Sequence, residues 1–146
     1  MVNGFSEEEN TKIVKLLEYN VGKLAGYKRL FSKDGARFLK KPITPEKHEE
    51  WLNLPARIEM NAAVLEKVDS DCPLNLDDYK YIQEMVNTSI KNNKEYMLLF
   101  NEDITRFKGK KASEGQLKQY ERRKKSVTEC EAVIDRLLIL MKDYVE

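Results

Sequence analysis

The residues of this chain that could take part in chemistry are mostly cations, and four of them stand together from Arg122 to Lys125. Guanidinium and ammonium groups bind phosphates and carboxylates, but they repel one another when they are neighbours on a helix. The helix dipole favours cations only near a C-terminus, and this run falls in the second and third turns of a predicted helix. Two interpretations therefore stay open: a solvated charged face, or a surface that binds an anionic partner.

Two further cationic segments accompany this run. One is the predicted turn from Lys108 to Lys111, and the other is the predicted loop from 32 to 44. The turn is not a Walker loop, because that motif needs a second glycine five residues earlier and Ser or Thr after the lysine. The candidate partner-binding residues are Arg37, Lys40, Lys41, Arg106, Lys108, Lys110, Lys111, Lys118, Arg122, Arg123, Lys124 and Lys125.

Side chains that build metal and catalytic sites are scarce. His48 is the single histidine, and Cys72 and Cys130 are the two cysteines. Helical di-iron sites use two Glu-x-x-His motifs, and a cysteine-rich zinc site needs more thiols than two. No pair of carboxylates has a setting that predicts a perturbed pKa. We therefore expect no metal site, no cofactor and no catalysis, which leaves binding or structural roles.

Four amphipathic helices are expected to position the cations. Apolar residues recur at steps of three and four in four segments, the spacing that places side chains on one helix face. The charged fraction of 35 % also suits helices with a broad polar face. The predicted fold is a single all-α domain over residues 1–146, a four-helix bundle. Residues that cap free N–H groups, or need none, mark the helix starts: Ser6 with Glu9, Thr44 with Pro45, Asn75 or a neighbour, and Ser113 with Gln116.

Residues 76–145 are predicted to form a long antiparallel helical hairpin with a coiled-coil-like seam. Its first helix would span about 34 residues, or about 50 Å, so the basic tip would project beyond the rest of the bundle. Asn93 falls on the apolar stripe, where it either sets the register of the hairpin or lies solvated at the edge. Lys124 also falls on the stripe, so we expect a partly exposed seam there.

Pro55 interrupts the second helix of the bundle. The apolar stripe keeps its phase across this proline, which favours one kinked helix over two separate ones. The alternative is a short first helix followed by a fresh start near Asn53.

The expected order of the helices separates the charges. Short loops favour antiparallel neighbours, and an up-down-up-down bundle places loops 1–2 and 3–4 at the same end. Both loops are basic, whereas carboxylates gather at the opposite end. The net charge is +1, so no global field attracts a partner, and any electrostatic recognition depends on this separation.

The segment from Leu137 to Met141 is apolar around most of its helix. A helix that is apolar all round should be buried on all sides. Burial inside the monomer and burial against a second copy both account for it. The residues that would form such a dimer contact are Leu137, Ile139, Leu140 and Tyr144.

These patterns lead to three functional hypotheses. The first is a non-enzymatic protein–protein interaction module, such as an adaptor, a chaperone-like protein or an inhibitor, that acts through the basic end. The second is nucleic-acid binding through the basic hairpin tip, and the third is a self-associating structural bundle. No segment has the length of a membrane span and the first residues are too polar for a signal peptide, so we expect a cytoplasmic protein without a membrane partner.

Overall fold

The computed structural model of the chain describes residues 2–30, 45–100, 106–107 and 110–145. Within these ranges lie four helices and one pair of short strands, in an all-α four-helix bundle as predicted. In chain order they are α1 (Glu7–Leu30), α2 (Pro45–Asp69), α3 (Leu76–Met97), β1 (Arg106–Phe107), β2 (Lys110–Lys111) and α4 (Glu114–Val145).

Contacts between the helices show that sequential neighbours run antiparallel. The side-chain amide of Asn10 donates to the carbonyl of Val68 at 3.1 Å, and that of Asn61 donates to the carbonyl of Leu17 at 3.1 Å. Later residues of α1 therefore meet earlier residues of α2. Equivalent pairs join α2 to α3 and α3 to α4, namely Lys67–Asp78, Arg57–Glu84, Ser89–Cys130 and Phe100–Tyr120.

The residues predicted to cap the helix N-termini do so where the structure describes them. Ser6 and Glu9 exchange hydrogen bonds of 3.1 and 2.8 Å between side chain and backbone, which makes a capping box. Ser113 and Gln116 do the same at the start of α4. Asn75 caps α3 through a third box with Asp78, and α2 is a single helix through Pro55. The predicted cap Thr44 lies outside the described residues.

The prediction of a 34-residue third helix is wrong. α3 ends at Met97 after 22 residues, so it is shorter than α1, and of the hairpin helices only α4 is long. The N–H groups of Leu99 and Phe100 bond three residues back, which tightens the chain out of the helix. Phe100 then turns onto the rings of Tyr96 and Tyr120, at centroid distances of 5.7 and 4.9 Å.

A two-stranded ribbon, not a continued helix, therefore leads into α4. Arg106 pairs with Lys111 and Phe107 with Lys110 in antiparallel register. The apolar stripe continues in sequence past Met97, but its periodicity cannot reveal that burying Phe100 takes the chain out of the helix.

The core is a single cluster to which all four helices contribute. Its fully buried members include Ile13 and Leu17 of α1, Val64 and Val68 of α2, Ile82 and Val86 of α3, and Cys130, Val133 and Leu137 of α4.

The N-terminal segment covers one end of this core. Phe5 is buried with its ring edge-on to Tyr79, and the hydroxyl of Tyr79 donates to the carbonyl of Asn3 at 2.8 Å. Gly4 has a φ of +89°, and a Cβ atom there would lie 2.5 Å from Leu140 Cδ2. We call this the closed end: residues 2–10, the loop between α2 and α3, and the last turns of α4.

Candidate functional site

The structure describes only part of the predicted set of cations. Arg37, Lys40, Lys41 and Lys108 lie outside the described residues, and of Arg106 only the backbone is described. Lys110 and Lys111 are exposed on the ribbon that precedes α4. The described part of the basic end is therefore this ribbon together with the first turns of α4.

Helix geometry divides the cations of α4 between different sides. Lys118, Arg122 and Lys125 follow one another at steps of four and three, so they share one exposed side, which we call the basic face. Arg122 and Lys125 have no ion-pair partner among the described residues. Lys118 lies 3.7 Å from Glu114, and both side chains are highly exposed, a geometry that contributes little.

Arg123 points inward and takes the stripe position that was predicted for Lys124. It lies four and seven residues before the buried Val127 and Cys130, so it faces the seam, whereas Lys124 is exposed. Its Nη1 donates to Asn93 Oδ1 at 3.2 Å, and its guanidinium carbon lies 4.3 Å from the centre of the Tyr96 ring. The four cations from 122 to 125 consequently face at least two environments.

The Nε of Arg123 is exceptional. Across the described residues it is the one buried side-chain nitrogen or oxygen without a hydrogen-bond partner. A buried N–H in this state costs about 1–3 kcal/mol. This N–H is therefore a local cost to stability that the contacts of the guanidinium with Asn93 and Tyr96 offset.

Asn93 lies in the seam of the hairpin and is not simply solvated. It is half-buried, and its side-chain amide donates to Ser89 and Ser126 at 3.3 and 3.4 Å while its oxygen accepts from Arg123. Two of these partners belong to α4, so Asn93 links the two helices of the hairpin and orients the arginine.

A cleft of about 410 Å³ opens between the hairpin of α1 and α2 and the hairpin of α3 and α4. We call it the inter-hairpin cleft. Near the closed end α1 and α4 are joined by the ion pairs Lys12–Glu129 and Glu9–Arg136, and farther along they become its two walls. The first wall carries Tyr19, Lys23 and Tyr27, the second carries Gln119, Arg122 and Arg123, and α3 supplies the floor, with Tyr81, Glu84, Ser89, Asn92 and Asn93.

A polar network lies at the edge of this floor. The hydroxyl of Tyr81 donates to Asn61 Oδ1 at 2.7 Å, and Asn20 Nδ2 lies 2.9 Å from the same oxygen and 3.1 Å from the Tyr81 hydroxyl. Burial raises the pKa of Tyr81 above 10.0, although the hydrogen bond from Asn20 opposes this. The hydroxyl therefore stays protonated at neutral pH and continues to donate.

Sequence reasoning missed this cleft. Lys23, Asn20 and Tyr81 carried no motif, and the splay of two hairpins is a tertiary property. One signal was available: Asn61 interrupts the apolar stripe of α2 three residues before Val64, and a buried amide at such a position needs polar partners on other helices.

The apolar end of α4 is largely accounted for inside the monomer. Leu137 is fully buried and offers no surface to a second copy, whereas Leu140 packs against Gly4 and is partly buried. Leu138 and Ile139 remain 51 % and 55 % exposed, and the side chain of Tyr144 lies outside the described residues. Self-association stays a prediction that rests on this smaller pair.

The two thiols lie in different environments. Cys130 is fully buried in the core and Cys72 is exposed in the loop after α2, while the side chain of His48 is outside the described part of the chain. Within the described ranges, no group of three His, Cys, Asp or Glu side chains could hold a metal ion. The described helices also include none that is long and apolar enough to cross a membrane.

Comparisons with known proteins find no family model that matches the chain, and no curated protein or solved structure that is similar to it.

Proposed function

We propose that this protein is a non-enzymatic interaction module that captures an acidic surface of a partner protein through its basic face. It would act as an adaptor, a chaperone-like protein or an inhibitor. The observation that carries the proposal is the clustering of unpaired cations. Arg122 and Lys125 of the basic face, and Lys110 and Lys111 on the ribbon that precedes α4, are exposed without an ion-pair partner in the described structure. Lys15 and Lys80 are also exposed and unpaired, but they stand apart from one another on α1 and α3.

The fold presents this face on a fixed support. Downstream of Lys125, α4 is anchored in the core by Val127, Cys130 and Val133. A partner would therefore meet cations whose backbone is already ordered, which lowers the entropy lost on binding. Complementary charge on the partner would accelerate association and select against cationic competitors.

A protein partner is favoured over nucleic acid because the basic face is not purely cationic. Glu114 and Glu121 are exposed on the same turns of α4 as Lys118 and Arg122. A phosphate backbone would be repelled by these carboxylates, whereas a protein surface can present acidic groups to the cations and basic groups to the carboxylates. The net charge of +1 likewise provides little long-range attraction for a polyanion.

The test is affinity capture from the lysate of the native host, before and after nuclease treatment, with charge-matched variants. Reversal of Lys118 and Lys125 to Glu changes the basic face alone, since neither residue lines the inter-hairpin cleft. Reversal of Lys15 and Lys80 to Glu makes the same change in net charge at exposed positions of α1 and α3. We expect the first variant to lose at least about tenfold of a nuclease-resistant partner, and the second to retain it.

Two outcomes would overturn the proposal. Equal capture by both variants would show that the basic face is a solvated surface. Loss of capture on nuclease treatment, with oligonucleotide binding that falls steeply as salt rises, would replace the protein partner by nucleic acid.

A further inference from the structure

Cations from both hairpins converge on the inter-hairpin cleft without enough carboxylate to balance them. Lys23 comes from α1, and Arg122 and Arg123 come from α4. Glu84 is the one carboxylate among the described lining residues, and it is already 2.8 Å from Arg57. Three cations therefore remain uncompensated around a concave site, where field lines are focused on an anion.

Arg123 is held in place before any ligand arrives. The face of Tyr96 supports its guanidinium and Asn93 accepts from Nη1, so the side chain has already lost much of its rotamer freedom. The unpartnered Nε lowers the stability of the fold at this position. Buried polar groups without a partner are expected where function, not stability, fixes a side chain.

The opposite wall offers aromatic surface. Tyr19 lines the cleft with 74 % of its surface exposed, and Tyr27, also on α1, lines it with 39 % exposed. Stacking of an aromatic ring on such a face contributes about 1–3 kcal/mol. Asn20, Asn92 and Gln119 add amide groups that both donate and accept at a ring edge.

From these features we infer that the inter-hairpin cleft binds a small phosphate-bearing aromatic ligand of the nucleotide class. Arg122, Arg123 and Lys23 would hold the phosphate, and a tyrosine of α1 would stack on the base. The cleft volume of about 410 Å³ lies in the range of small-molecule sites. An acidic peptide would use the cations but would leave the exposed ring of Tyr19 without a role.

This inference is independent of the proposed function. Lys118 and Lys125 serve the basic face alone, Lys23 and Arg123 serve the cleft alone, and Arg122 is common to both. Variants of the unshared residues therefore separate the failure of one from the failure of the other.

The test is isothermal titration calorimetry of the full chain with AMP and UMP, and with adenosine, uridine and inorganic phosphate as partial ligands. We expect a nucleotide to bind more tightly than about 1 mM, and its nucleoside and free phosphate each at least about tenfold more weakly. Arg123→Met and Lys23→Met should each weaken nucleotide binding about tenfold or more, because each removes a charge-assisted contact. Tyr19→Ala should weaken it less.

Lys124→Met is the matched control, since it removes a cation one residue from Arg123 on a side of α4 that does not line the cleft. It should leave nucleotide affinity unchanged. Amide chemical shifts provide a second readout, with the largest changes expected at Lys23, Arg122 and Arg123.

The inference fails if no nucleotide gives saturable heat at about 1 mM, the weak limit of specific binding. It also fails if affinity survives in both Arg123→Met and Lys23→Met, because the ligand then sits elsewhere. Phosphate or hexaglutamate that binds as tightly as a nucleotide would remove the aromatic part of the argument. Binding of single-stranded oligonucleotides without mononucleotides would turn the cleft into a nucleic-acid surface.

Discussion

The two ends of the bundle treat their polar groups differently. At the closed end Asn3, Asn10 and Asp78 are buried and hydrogen-bonded, and Asp71 accepts from the backbone N–H groups of Val2 and Asn3. Around the inter-hairpin cleft, Lys23 and Arg122 have no carboxylate partner in the described structure, and Arg123 keeps an unpartnered Nε. Satisfied groups rigidify a fold, whereas the unpaired charges of Lys23 and Arg122 are available to a ligand. The Nε of Arg123 is buried, so it lowers local stability and is not itself a ligand contact.

Helix α4 contains both satisfied polar groups and unpaired cations. Between Val127 and Leu137 it supplies core residues and the paired Arg136, and between Lys118 and Ser126 it supplies cations and the wall of the cleft. One continuous helix therefore joins the stable end of the molecule to the end that we expect to bind. The free energy of unfolding should be sensitive to substitutions between Val127 and Leu137 and should tolerate substitutions between Lys118 and Ser126.

The test with the largest expected effect on stability compares two leucines that lie seven residues apart on α1. Leu17 is fully buried in the core, and Leu24 is 5 % exposed and lines the cleft. Leu17→Ala should lower the free energy of unfolding by about 3–5 kcal/mol, because it leaves a closed cavity. Leu24→Ala should cost about 2 kcal/mol, since the space opens into the cleft and only the transfer term is lost.

Urea unfolding followed by circular dichroism measures both values, and the slope with denaturant checks that the unfolded states are comparable. Equal losses would show that the cleft is closed over Leu24 in solution, and the contrast between the two ends would then disappear.

What was predictable from sequence was local. The capping boxes at Ser6 and Ser113 depend on residues three apart, so the starts of α1 and α4 followed from pattern alone. The start of α3 was predicted only as Asn75 or a neighbour, and the structure selects Asn75 through its box with Asp78. The end of α3 did not, because it depends on Phe100 meeting Tyr120 across the hairpin.

The candidate sites were likewise predictable only in their local features. The cations of α4 were identifiable, but a stripe that steps by three or four permits either Arg123 or Lys124 to face inward. Burial of Val127 and Cys130 selects Arg123. The cleft itself arises from the angle between two hairpins, which no local pattern encodes.

A smaller test concerns the hydroxyl of Tyr81 at the floor of the cleft. Tyr81→Phe should lower the free energy of unfolding by about 1 kcal/mol at neutral pH, because the hydrogen bond to Asn61 is lost. Burial raises the folded-state pKa of Tyr81, so its contribution is complete below the unfolded-state pKa and is lost as pH rises through the folded one. Above about pH 10 the wild type should therefore lose stability more steeply than Tyr81→Phe.

Chemical denaturation at several alkaline pH values gives the two curves. Tyr19→Phe, which removes an exposed hydroxyl, is the control and should run parallel to the wild type. Parallel curves for Tyr81→Phe would mean that its hydroxyl is hydrated in solution.

The smallest test asks whether arginine loss costs stability differently at the two ends. Arg136 Nε lies 3.3 Å from Glu9, and its side chain is 42 % exposed, so Arg136→Met should cost only about 0.5–1 kcal/mol. Arg123→Met loses the contact with Tyr96 and the hydrogen bond to Asn93, together worth about 2 kcal/mol, but removes a buried unpartnered N–H that costs about 1–3 kcal/mol. Its unfolding free energy should therefore stay within about 1 kcal/mol of that of the wild type. A loss of about 2 kcal/mol or more would mean that Arg123 is a structural residue, and the argument that its position serves a ligand would lose its energetic basis.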